Sequence, residues 1–320
     1  MIASMRTSAD GTAVEKITTS ERSRDQRTRR APGRVPIRAA RPWAAAGDRS
    51  DLPAWVERFL DSADLDPRFG HRRVRVEGAA SMDAACFEAA TRDAYHRILD
   101  GLTQNQLLRA WNFIPGINEP AVGANTEVET DRDRYMVFNA GRHRGFADSM
   151  GSPIAYPAAS GVGHVGEDLV VHLLHGPGSP RCIDNPRQVL PDAYSERFGN
   201  PPPVFARAAT IEAGEREALL VSGTASVVGE DSAHLDSFDR QLNETLRNLA
   251  VVVDEAWPGA RPEDLEDWLV YLPDLGHETQ VLSAIGPGPR VIVRQQGLCR
   301  PELLVEIECA GFRSSKGRRA

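Results

Sequence analysis

The chain has almost no lysine: Lys16 and Lys316 are two of its 38 basic residues, and the other 36 are arginine. It has four cysteines, Cys86, Cys182, Cys299 and Cys309, scattered with no CxxC pair. That spacing excludes a disulfide-stapled scaffold. No apolar run approaches the roughly 18–20 residues that span a bilayer, and the N-terminus lacks the apolar core of a secretion signal. A basic body is missing too. Residues 1–50 carry 11 basic and 5 acidic side chains, so with a net charge of −7 the other 270 residues sum to −13. An acidic body argues against nucleic-acid binding, because phosphate neutralisation needs a basic surface. A small anion could still bind, through a local cluster of arginines. What is present is a 41% hydrophobic composition over 320 residues, enough for one large or two modest cores. The expectation is a soluble, cytoplasmic, globular protein with no nucleic-acid or membrane partner.

Residues 1–50, rich in Arg, Ser, Thr, Ala and Pro, read as a disordered basic arm, or as sequence upstream of the true start. Order is expected from Leu52. Phe87, Ala90, Ala94, Ile98 and Leu102 recur at helical spacing between Ser81 and Leu102. Asn112–Pro120 reads as a loop, broken by Pro115, Gly116 and Pro120. Strands are expected from Pro153 onward, at Leu169–Leu174 and Ala218–Val228. A long amphipathic helix follows, with Ser237 as its cap and Phe238, Leu242, Leu246, Leu249 and Val253 on one stripe. Then come a strand at Trp268–Leu272, a short helix at His277–Ile285, and strands at Val291–Arg294 and Leu303–Glu308. The order predicts an α+β fold with helices on one sheet face.

Three patterns suggest chemistry that their context denies. Gly161-Val162-Gly163-His164-Val165-Gly166 spells GxGxxG, but it leads into the apolar run Asp168–Leu174 and not into a helix, so a hairpin turn is the better reading. His172 and His175 differ by three, which on a strand points them to opposite faces, so a shared metal is not expected. Ser222 and Ser226 lack a nucleophile-elbow pattern.

The segment Leu298–Glu308 is more informative. On a strand, Leu304, Glu306 and Glu308 share one face, and Leu303, Val305 and Ile307 share the other. A carboxyl flanked by Val305 and Ile307, if buried, would stay protonated and serve as a general acid. The alternative is a solvated glutamate on an edge strand.

Five blocks in order across residues 105–310 resemble the chorismatases, which release pyruvate from chorismate and share the RidA/YjgF-like fold. They are Trp111–Glu119; Arg134-Tyr135 with Phe138 and Gly141-Arg142; Asp184–Val189 followed by Phe205–Ala208; Val221–Ser226 with Leu242–Leu246; and Cys299-Arg300 through Glu306. The resemblance implies that Glu306 protonates the vinyl carbon of the enolpyruvyl ether. It implies that Arg142, Arg207 and Arg134, with Tyr135, hold the substrate's two carboxylates, since arginine's fork matches a carboxylate. The aromatising members of the family typically carry a cysteine seven residues before the acid and a glycine in the Ser-Gly-Thr-Ala-Ser strand. Cys299 and Gly223 stand at those positions, which favours 3-hydroxybenzoate as product, with Cys299 as a proton relay. Hydrolysis to a dihydroxycyclohexadiene carboxylate, mixed hydroxybenzoates, or a RidA-like binder without turnover are the alternatives.

Pro120, Glu230 and Gly297 depart from the family, which often has glycine, histidine and aspartate there. Neither a metal nor an organic cofactor is implied, and a monomer is expected over a trimer. The implied organisation is a basic arm at 1–50, an N-terminal α+β domain at 51–148, a RidA/YjgF-like catalytic domain at 149–312 and a tail at 313–320.

Overall fold

Apolar side chains at helical and strand spacing build two sheets, each backed by helices. In the computed structural model the described residues are 52–62, 65–123, 129–151 and 153–315. The expected arm at 1–50 and residues 316–320 of the expected tail lie outside them. The elements begin with α1 (Ala54–Leu60), β1 (Gly70–Val76), α2 (Ala84–Leu99), β2 (Leu107–Pro115), β3 (Pro120–Val122) and β4 (Glu129–Asp133). Next are α3 (Arg134–Met150), β5 (Ala158–His164), β6 (Leu169–His175), β7 (Arg181–Ile183), β8 (Ala208–Ala213) and β9 (Arg216–Ala225). The chain continues with β10 (Val227–Val228), β11 (Asp231–Ser232), α4 (Phe238–Ala256), β12 (Asp267–Leu272), α5 (Glu278–Ile285), β13 (Arg290–Gln295) and β14 (Glu306–Ser314).

One sheet has the order β1-β6-β2-β5 and the other β13-β12-β14-β9-β8-β7. The outer face of the first packs on α2 and α3, through Phe87, Tyr95, Val137, Phe138 and Phe146. The outer face of the second packs on α4 and α5, through Leu242, Leu249, Val253 and Val281. The inner faces meet, with Trp111, Phe113, Val170 and Leu174 against Leu220, Leu269, Tyr271 and Ala310. Each sheet therefore carries helices on one face only, as α+β patterning requires.

Helices α2, α3 and α4 each start at a side-chain cap. Asp83 accepts from Cys86 N at 2.8 Å, Asp133 from Met136 N at 2.8 Å, and Ser237 from Arg240 N at 3.4 Å. Helices α2 and α3 approach closely because Gly141 and Gly145 sit at their contact. A Cβ on Gly141 would lie 2.4 Å from the Glu88 carbonyl oxygen, and one on Gly145 would lie 2.5 Å from Tyr95 Cβ.

Several local expectations change. Asn112–Pro115 is not loop but the end of β2, which is buried along its whole length. It runs between β5 and β6 and is covered on both faces, so its sequence shows no alternation. The turn starts at Gly116, which has φ 60°. Helix α3 escaped notice because Arg134, Asn139 and Arg142 interrupt its apolar stripe, although all three are buried. The GxGxxG segment does lead into a strand, but β5 and β6 are not a hairpin: they flank β2, and β5 pairs with it parallel. The last strand begins at Glu306 instead of Leu303 and runs on to Ser314.

The 148/149 division drawn from sequence falls inside the last turn of α3, between Asp148 and Ser149. Strands β5 and β6 follow that point yet pair with β2 and β1, which precede it.

Candidate active site

Glu306 opens β14, where it pairs with Tyr271 of β12 and Ala225 of β9. Its side chain is 4% exposed and turns toward the first sheet, while Val305 and Ile307 turn into the core under α4. The alternation read from sequence holds from Val305 to Ile307. Leu303 and Leu304 precede the strand and take the opposite sides from those expected, Leu303 between the sheets and Leu304 against the core under α4. Burial, with the negative charge of Glu308 second, pushes the Glu306 carboxyl up to about 8, so it keeps its proton at neutral pH. Its carboxyl lies against the backbone of Gly223 on β9. A Cβ at position 223 would fall 1.8 Å from Glu306 Oε1. Glycine there is what lets the acid lie flat on the strand.

Glu306 lies at the junction of a cavity of about 210 Å³ and a smaller inner pocket. Tyr135, Phe205, Gly223, Cys299 and Glu306 line both. Cys299 is half-buried, and burial together with Glu306 raises its thiol to about 12. It is a neutral thiol, unsuited to nucleophilic attack. Burial likewise raises the Tyr135 phenol, which stays a hydroxyl and a hydrogen-bond donor.

Two of the three nominated arginines reach this space. Arg142 lines the inner pocket and is 2% exposed. Its Nε donates to the Tyr95 hydroxyl at 3.0 Å, and its Nη1 donates to the Val204 carbonyl. Its Nη2 has no protein partner, so a buried donor stands ready for an anion. Arg207 lines the larger cavity, donates to the Tyr194 hydroxyl at 2.7 Å and lies over the Phe205 ring at 4.8 Å. Arg134 does not line either space. Its guanidinium donates to the carbonyls of Pro115 at 3.0 Å, Met82 at 3.2 Å and Ala79 at 2.6 Å, and it stacks over Phe87. We correct its expected role: it ties the turn after β2 to the start of α2.

Other residues emerge that the sequence did not single out. Asn139, which faces the Tyr135 phenol, joins Arg142 in the inner pocket. Arg300 lines the larger cavity with its guanidinium 4.0 Å above the Phe198 ring. Behind Glu306, Glu308 is ion-paired with Arg109 and accepts from Trp111 Nε1 at 2.9 Å. The shared face of Glu306 and Glu308 was visible in the spacing; the partners of Glu308 were not.

The decoys resolve as packing. Ser222 Oγ donates to the Ala206 carbonyl at 2.7 Å and accepts from Ala159 N at 2.9 Å. His172 stacks on His71, and burial depresses it to about 3. Among the described residues no cluster of His, Cys, Asp and Glu is placed to hold a metal ion, and no helix is long and apolar enough to cross a membrane. A larger cavity of about 480 Å³ lies beside α1, between Arg58, Glu266 and Arg313, and holds none of the residues nominated above.

The chain is similar to several known proteins. A family model described as chorismatase FkbO/Hyg5-like, N-terminal, matches residues 64–175. A 3-hydroxybenzoate synthase of Streptomyces hygroscopicus is 31% identical over 242 residues, which is 69% of this chain and 69% of that protein. A chorismatase of Streptomyces rapamycinicus is 28% identical over 291 residues, covering 84% of this chain and 81% of its own. A chorismatase crystal structure at 1.08 Å superposes with a TM-score of 0.64 at 24% identity, over 78% of this chain and 75% of that one. The chain belongs to the chorismatase family and has its α+β fold.

Proposed function

We propose that this protein cleaves chorismate, releasing pyruvate and forming 3-hydroxybenzoate. The observation that carries the reading is the buried carboxyl of Glu306 lining one pocket with Arg142, whose buried Nη2 has no protein partner; burial raises that carboxyl to about 8 and so favours its protonated form. Glu306 gives its proton to the terminal carbon of the vinyl ether. The ring carbon–oxygen bond then breaks, and the ether oxygen leaves as the keto oxygen of pyruvate. The neighbouring ring hydroxyl closes on the vacated carbon and loses its proton, giving an arene oxide. Opening of that oxide with loss of a ring proton yields the phenol. No water is added overall, and one proton returns to the site.

Arg142 and Arg207 hold the two substrate carboxylates, one in the inner pocket and one in the outer cavity, with Tyr135 donating between them. Cys299 relays a proton as a neutral thiol. Gly223 leaves the Glu306 carboxyl room to lie where the vinyl carbon arrives. The sheet pairing supports a division of the chain after His175. We place the protein in the cytoplasm as a monomer.

Purified protein incubated with chorismate tests the function, with pyruvate and the ring product followed by chromatography. Pyruvate and 3-hydroxybenzoate should appear together. Pyruvate release no faster than in the enzyme-free control refutes the activity, and accumulation of the diene diol refutes the product assignment.

A further inference from the structure

Two carboxyls stand on one face of β14 in opposite surroundings. Glu308 accepts from Ser160 Oγ at 2.6 Å, Trp111 Nε1 at 2.9 Å and the Tyr271 hydroxyl at 3.3 Å, and it is ion-paired with Arg109. Arg109 is itself fixed, donating to the Ala110 carbonyl at 2.6 Å and to Ser160 Oγ at 2.5 Å. Ser160 Oγ also accepts from Gly223 N at 2.8 Å, the residue against which Glu306 lies. Donors from β2, β5 and β12 thus converge on Glu308, and one of them continues to the backbone under the acid. A strand repeat puts the Cα atoms of the two glutamates about 7 Å apart, and both side chains face the same dry layer, where like charges repel strongly.

We propose that Glu308 is a positioning residue for Glu306: a carboxylate pinned by four groups denies its neighbour the ionised form, while Ser160 fixes the Gly223 backbone on which that neighbour lies. This rests on the assignment of Glu306 as the acid. The other titratable groups around Glu306 are Arg109 from β2, Tyr135 and Arg142 from α3, Tyr271 from β12 and Cys299 from the segment before β14. Arg207, Arg300 and Glu302 line the larger cavity with it, and the charges that shift it are Glu308 and Arg109. Burial holds Tyr135, Tyr271 and Cys299 neutral. Arg109 is matched by Glu308, and Arg142 is the cation that a substrate carboxylate would neutralise. Of these groups, the carboxylate of Glu308 is the one that opposes ionisation of Glu306.

The test is a carbon-13 carboxyl titration of Glu306, its resonance identified as the one missing from Glu306→Gln. In the unaltered protein the midpoint should lie at about 8. Glu308→Gln should lower it by about one pH unit or more, whereas Glu308→Asp, which keeps the charge, should stay within about half a unit. If Glu308→Gln does not fold, Arg109→Met combined with Glu308→Gln buries no unpaired charge and is read instead. Its midpoint should also fall, because Glu308 outweighs Arg109 at this carboxyl. An unchanged midpoint in Glu308→Gln, or in the double variant where that is used, overturns the proposal. So does a drop in Glu308→Asp as large as that in Glu308→Gln. The kinetic counterpart is an alkaline limb displaced to lower pH, costing about sevenfold more activity at pH 8.5 than at pH 6 for a one-unit shift. The titration needs no substrate, so inactivity toward chorismate would refute the proposed function and leave this result readable.

Discussion

The layer between the two sheets has a dry end and a polar end. At the dry end, Phe59 packs against Phe69 at 5.3 Å and Phe312 at 5.8 Å, and Trp55 meets Trp111 at 5.9 Å. At the polar end, Glu306, Glu308, Arg109 and Ser160 occupy the same layer, all of them buried. Trp111 belongs to both, with its ring in the aromatic cluster and its Nε1–H on Glu308. The dry end stabilises the fold by removing apolar area from water. The polar end works against stability and gains chemistry, because burial away from water, with Glu308 alongside, is what keeps the Glu306 carboxyl protonated at neutral pH.

That contrast can be broken from either side. The largest effect should come from Glu306→Gln, which removes the proton donor and should lower kcat by about 10²–10⁴-fold, the usual range for a general acid. Retention of turnover would place the acid elsewhere. At the dry end, Phe59→Ala should cost about 3–5 kcal/mol in denaturant unfolding, the range for a large buried aromatic. A loss below about 1 kcal/mol would show that α1 is not part of the core.

The third expectation opposes intuition: Glu306→Gln should stabilise the protein at neutral pH. The folded state holds this proton up to about 8, whereas an unfolded glutamate releases it near 4.5. The group's contribution is therefore fully present below pH 4.5 and lost as pH rises through 8. Glutamine has no proton to lose, so its advantage should grow across that window, to on the order of 3 kcal/mol by pH 7. Unfolding midpoints compared at pH 5 and pH 8 measure it, and an equal difference at both would show that Glu306 is not buried as a neutral acid. Cys299→Ala should have the smallest effect, shifting the ratio of ring products by less than about tenfold while pyruvate release continues. An unaltered ratio would reduce the thiol to packing.

The polar end was partly legible in the sequence. Glu306 could be read because Val305 and Ile307 flank it and alternation places it opposite them. The charge beside it could not be fully read, because the partner of Glu308 is Arg109, 199 residues away and one of 36 arginines. Arg134 shows the reverse failure. Its residue type fits a carboxylate ligand, and nothing local distinguishes that from a ligand of backbone carbonyls. Among the elements, α4 was clear because one stripe is apolar throughout. Strand β2 was hidden because a strand covered on both faces loses its period of two. Helix α3 was hidden because its buried face is built of arginine, asparagine and glycine as much as of apolar side chains.

Gly163 and Gly297 meet backbone to backbone, with Gly163 N donating to the Gly297 carbonyl at 2.8 Å. The two positions are not equivalent. A Cβ on Gly163 would lie 2.7 Å from Ile117 Cγ2, whereas one on Gly297 would meet its nearest neighbour at 3.5 Å, an ordinary contact. Position 297 thus keeps room for the first carbon of a side chain. It therefore tolerates a side chain two residues before Cys299, whereas position 163 is committed to glycine for as long as Ile117 keeps its place.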